Sequence, residues 1–136
     1  MNLDPADMRK ILLLLAALAC SRTMSEPGDV APGHEVALRA GQSVQVTNTP
    51  VAVSFEGAND SRCPSDVTCI SAGEALIRLH FSGAGADRID TLKVISQPRT
   101  TTYGGYRFEV VSLIPYPVST ALNASQTLRL LVSAGS

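Results

Sequence analysis

The sequence predicts an all-β fold: a single β-sandwich or small barrel of about seven antiparallel strands, with one disulfide-stapled loop. Three observations predict it. Short apolar–polar alternations recur along the chain, and turn residues separate most of them. Past the N-terminal segment no run of about ten residues has helical period.

The strands follow in order. Residues 35–39 set Val36 and Leu38 opposite Glu35 and Arg39. Residues 43–47 carry Val44 and Val46, and residues 51–56 carry Val51, Val53 and Phe55. Residues 74–82 line one face with Ala75, Ile77, Leu79 and Phe81, against Arg78 and His80. In residues 88–96 Leu92 and Val94 share one face and Ile89 and Ile95 the other, which reads as a strand buried on both sides. Residues 105–114 turn Tyr106, Phe108, Val110 and Ile114 inward, against Arg107 and Glu109. Residues 126–134 do the same with Leu128, Leu130 and Val132. Between them lie Gly41, Asn48-Thr49-Pro50, the Gly-rich 83–87, which suits a hairpin loop, and the Gly-rich turn 100–105. Pro115-Tyr116-Pro117 ends a strand, because proline cannot donate to a ladder.

Length points to one domain. Tryptophan is absent and aromatics are 4% of the chain, so the core must be mainly Val, Leu, Ile and Ala. Charge is nearly balanced. Setting aside Asp4, Asp7, Arg9 and Lys10 leaves 9 basic and 10 acidic residues of the original 11 and 12. No basic stripe is present for phosphates, which argues against nucleic acid as a partner. No polybasic run is present for anionic headgroups.

The N-terminus reads as a processing segment. Arg9 and Lys10 precede the apolar run 11–19, which is far shorter than the ~20 residues that span a bilayer. Ala17-Leu18-Ala19 before Cys20 fits ordinary signal cleavage and also resembles a bacterial lipobox, in which Cys20 would become the lipidated first residue. Residues 21–33 are polar, with Pro and Gly, and read as a short tether. The expected organisation is therefore a signal peptide at 1–19, a lipid-anchored tether at 20–34 and a β domain at 35–136. Ser21 in place of Asp fits outer-membrane sorting in a host with two membranes. The alternatives are a soluble secreted protein cut at the same bond and a buried apolar helix.

Three cysteines in an exported chain leave one to explain. Lipidation uses Cys20, and Cys63 and Cys69 then form a disulfide by default in an oxidising compartment. Free thiols and a metal site are the alternatives, though the spacing is wide for zinc and no His lies nearby. Residues 59–75, between two strands, hold this pair with Pro64, Gly73 and four charges: Asp60, Arg62, Asp66 and Glu74. These four are the candidate binding loop. Arg62 and Glu74 are expected to pair across its neck, and Asp60 with Asp66 is the weaker option of an oxygen-ligated cation.

No nucleophile elbow, zinc-protease helix or phosphate loop is present. The two histidines, His34 and His80, are isolated, and Asp87 and Asp90 flank a turn and read as solvated. Tyr103, Tyr106 and Tyr116 fall near strand ends, where packing with one wet edge is their usual role.

Asp60-Ser61-Arg62-Cys63-Pro64, Val67, Cys69, Ala72, Gly73 and Ala75 stand in a D-S-R-C-P-x-x-V-x-C-x-W-A-G-x-A pattern. Tyr106, Val110, Pro115 and Pro117 fit a second pattern, Y-x-x-x-L/V-x-x-x-x-P-x-P. In both the chain resembles a family of small exported bacterial β domains, over roughly residues 35–134. It departs at Ser71, where that family has Trp, so a role needing an indole there does not carry over. The resemblance implies an extracytoplasmic β domain and points to no reaction. The expectation is a non-enzymatic envelope lipoprotein, an interaction or structural module without a cofactor. Its partners would be the membrane, through the lipid, and an envelope protein. The alternative is a lipoprotein that binds a small ligand or metal.

Overall fold

The computed structural model describes residues 28–122 and 124–135. Cys20, the leader 1–19 and the first part of the expected tether lie outside the described residues. Nine strands follow in chain order: β1 (Gly28–Val30), β2 (His34–Arg39), β3 (Ser43–Val46), β4 (Ala52–Asp60), β5 (Ala75–Ser82), β6 (Arg88–Lys93), β7 (Thr100–Tyr103), β8 (Tyr106–Ile114) and β9 (Thr127–Ala134). They form a five-stranded sheet, β1-β3-β4-β5-β6, and a four-stranded sheet, β2-β9-β8-β7. The two sheets pack face to face as a sandwich and do not close into a barrel.

The alternation explains the packing. Ala75, Ile77, Leu79 and Phe81 of β5 are fully buried, and Phe108, Val110, Leu128, Leu130 and Val132 face them from the second sheet. Phe81 joins the sheets, with its ring 4.9 Å from Phe108 and 5.4 Å from Tyr103. Burying such a ring stabilises the fold by about 1.5–3 kcal/mol relative to leaving it in water.

The structure departs from the sequence reading in four places. Gly28–Val30, read as tether, is strand β1, and it pairs parallel with β3, so not all pairs are antiparallel. Residues 100–103, read as turn, form β7, and the turn itself is Gly104-Gly105. Ile89 and Ile95 are exposed at 52% and 45%, so β6 is buried on one face only. In β8 the pairing skips Val111, and this bulge turns Leu113 inward and leaves Ile114 exposed at 48%. Arg99 seats its guanidinium on that bulge, donating to the Val110 and Val111 carbonyls at 2.9 and 3.1 Å.

The register fixes which connections share an end. β4 runs toward Asp60 and β5 starts at its partner Ala75, while β6 ends opposite Leu76 and β8 ends opposite Thr127. The connections 61–74, 94–99 and 115–126 therefore gather at one end of the sandwich. The turns 83–87 and 104–105 lie at the other.

Candidate functional site

The stapled loop spans β4 and β5. Its neck continues the strand pairing: the Ser61 N–H donates to the Glu74 carbonyl and the Cys63 N–H to the Ala72 carbonyl, both at 2.8 Å. Gly73 sits in this neck with φ +69°, and a Cβ there would come 1.9 Å from the Ser61 carbonyl oxygen. Only glycine fits, on both backbone and steric grounds. Cys63 and Cys69 are disulfide-bonded, with Cα atoms 5.9 Å apart.

Arg62 turns inward and is 5% exposed. Its partner is Asp60, not Glu74 as the sequence reading expected. The guanidinium grips the Asp60 carboxylate through Nε at 2.8 Å and Nη2 at 2.6 Å. It also donates to the Leu113 carbonyl at 3.2 Å and lies 4.5 Å from the Tyr116 ring centroid. Gln126 donates its amide to Asp60 Oδ2, the oxygen that also accepts from Arg62 Nη2. Burial pushes the Asp60 carboxyl up, but the hydrogen bonds from Arg62 and Gln126 outweigh it and hold the group below its ordinary value. A buried cation is tolerable only when paired and hydrogen-bonded in this way.

Glu74 serves a different set of partners. Its carboxylate accepts the N–H groups of Ala75 (2.9 Å), Val94 (3.1 Å), Ile95 (2.8 Å) and Ser96 (2.9 Å), and the Ser96 hydroxyl at 2.7 Å. Partial burial raises its pKa, and the bonds from Ser96, Ile95 and Ala75 outweigh this and lower it to about 2. One side chain thus ties the β6–β7 connection to the start of β5. Asp66 accepts from the Ser119 hydroxyl and, at 2.8 Å, from its N–H, and these bonds hold the carboxyl below its ordinary value. The Ser65 N–H donates to the Pro117 carbonyl at 3.0 Å, a second tie to the same segment.

All four candidate loop residues are therefore engaged inside the protein. Asp60 and Asp66 serve different partners, so the paired-carboxylate cation site is not formed as the sequence suggested. Among the described residues no three His, Cys, Asp or Glu side chains group as metal ligands. Among the exposed Ser65, Thr68 and Ser71, the loop leaves two large apolar side chains in water, Ile70 at 109% and Val67 at 48% exposed. The sequence reading missed Ser96, Ser119 and Gln126, the loop's polar partners. They lie 22 to 66 residues away along the chain from the groups they hold, with no spacing rule to link them.

At the far end an open cleft of about 680 Å³ is lined by Ala84, Arg88, Thr102, Tyr103 and Gly105, among others. Tyr103 is buried there, its hydroxyl accepting the Ala84 N–H at 3.1 Å and donating to the Ala86 carbonyl at 3.3 Å. Asp90, read as solvated, accepts from Arg88 at 2.8 Å and from the Thr101 hydroxyl at 2.5 Å. The His80 Nε2 lies 3.5 Å from the Asp87 carboxylate.

Fold and site together define a two-sheet, disulfide-stapled β domain whose loop exposes Val67 and Ile70. No protein-family model, no curated protein and no solved structure matches the chain.

Proposed function

We propose that this chain is a lipid-anchored, non-catalytic interaction module of the bacterial envelope, held to a membrane through Cys20 and making its contacts with the stapled-loop end. One observation carries the reading. Every charged side chain of the loop is used internally, while Val67 and Ile70 are left in water. A rigid loop with no free charge and two exposed apolar side chains is built to dock, since apolar surface gains by leaving water. The Cys63–Cys69 disulfide supports an extracytoplasmic setting. The lipobox-like Ala17-Leu18-Ala19-Cys20 supports the anchor, and the likeness of residues 60–75 to exported bacterial domains supports both.

Palmitate labelling in a bacterial host tests this. Wild-type protein should take up label and sediment with membranes, and Cys20→Ser should do neither. Unlabelled wild-type protein in the soluble fraction would refute the anchor.

A second reading, small-ligand binding, rests on the far-end cleft and its exposed Arg88 guanidinium. A rise in melting temperature with a cell-envelope glycan, abolished by Arg88→Ala, would favour it by mass action.

A further inference from the structure

Seven large hydrophobic side chains are exposed among the described residues, and six of them sit at one end of the sandwich. Val67 and Ile70 lie on the stapled loop, Ile95 on the β6–β7 connection, and Ile114, Tyr116 and Leu122 at or beyond the end of β8. The seventh, Ile89, lies away from that end, paired with His80 within the sheet. Monomeric proteins scatter exposed apolar residues, and a cluster of them marks a contact surface.

The connections at this end hold their charges internally: Asp66 accepts from Ser119, Glu74 from residues 94–96, Arg62 is buried on Asp60, and Arg99 donates to the β8 bulge. Arg39 and Lys93 stand at the strand ends that flank the patch. The connections themselves thus offer a charged protein partner little free charge to pair with. The patch suits an uncharged apolar phase, and Tyr116 brings the amphipathic ring favoured where such a phase meets water.

The chain's own geometry supplies the occupant. β1 is parallel to β3, and β3 is antiparallel to β4, which runs toward the loop. The N-terminal end of β1, at Gly28, therefore faces the loop end. Gly28 is level with Val44 and Val53, and the unbulged partner strand covers the span from Val53 to Asp60 in six steps, Phe81 to Ala75, or about 20 Å. From Cys20 to Gly28 is eight steps, at most about 29 Å fully extended. A lipid on Cys20 leaves the domain little slack on that side.

We infer that the lipid surface itself is the partner of the loop end. Drawn down by the short tether, the domain stands end-on, with Ile70 and Val67 inserted among the acyl chains beside the anchor. This rests on the proposed lipidation of Cys20 and names the contact it makes possible.

The absence of tryptophan makes the test clean, since Ile70→Trp and Ile89→Trp each carry a single indole. Both positions are exposed, so neither change disturbs the core. Each full-length lipidated variant is reconstituted into phosphatidylcholine vesicles with or without brominated acyl chains. Ile70→Trp should shift to the blue and lose most of its emission to bromine, at low and high salt alike. Ile89→Trp should lose none. Co-flotation with an unquenched Ile70→Trp would overturn the docking while leaving the anchor intact. Equal quenching of both indoles would overturn the end-on orientation. Failure to float with vesicles would remove the anchor, and this inference with it. An indole at position 70 that is wet on vesicles yet shielded in native envelope would give the surface to a protein instead.

Discussion

Asp60 and Arg62, two residues apart, form a buried bidentate ion pair at the base of the stapled loop, with contacts of 2.6 and 2.8 Å. The pair joins the end of β4 to the Leu113 carbonyl of β8, and so couples the two sheets where the loop leaves them. Removing one member leaves the other charged and buried, at a cost of about 3–5 kcal/mol. Arg62→Ala and Asp60→Ala should each lower the urea midpoint strongly. The double variant should lose less than the sum of the two, as coupled partners do. Glu74→Ala should show no such coupling with Arg62→Ala, because Glu74 serves Ser96 instead.

Glu74 predicts a pH dependence. Its folded-state pKa of about 2 lies below the ordinary value of 4.5, so folding favours the carboxylate. Its stabilisation is complete above the ordinary value and is lost as pH falls through the folded one. Asp60 and Asp66 are lowered as well and act in the same direction. Stability from chemical denaturation should fall between pH 4.5 and about 2. Glu74→Gln should be less stable at neutral pH and should flatten that fall. An unchanged slope would refute this role.

Gly73→Ala should melt far below wild type. The left-handed backbone costs an L-residue about 1–2 kcal/mol. The added methyl would also overlap the Ser61 carbonyl oxygen at 1.9 Å, so the neck must open. Gly85→Ala has a similar φ of +92° but open space around it, and should show the backbone cost alone.

Much of this architecture is legible in the residue pattern, for a local reason. Where apolar residues alternate without interruption, as from Ala75 to Phe81, burial follows the pleat and the core can be read directly. The reading fails where backbone irregularity intervenes. The bulge at Val111 exchanges Ile114 for Leu113, and nothing in the residue types announces it. β1 and β7 escape because they are short and each buries one side chain, Val30 and Tyr103. In the loop, the Cys pair and Gly73 declare themselves. The partner of Arg62 does not, since Asp60 and Glu74 are equally plausible by charge and only the three-dimensional path chooses.

The Cys63–Cys69 bridge closes so short a loop that the chain-entropy argument gives it roughly 2–2.5 kcal/mol. Cys63→Ser with Cys69→Ser should lower stability by about that amount and leave the sandwich folded, since neither cysteine is part of the core. Far-ultraviolet circular dichroism with a urea titration checks both halves of the statement.

Membrane anchoring requires a processed, lipid-bearing N-terminus, and intact mass spectrometry of protein extracted in detergent from bacterial membranes reads it directly. The predicted mass is that of residues 20–136 with covalent lipid on Cys20, rising by two hydrogens when Cys63–Cys69 is reduced. A chain that keeps residues 1–19, or one that begins at Cys20 without lipid, would contradict the membrane-anchored module.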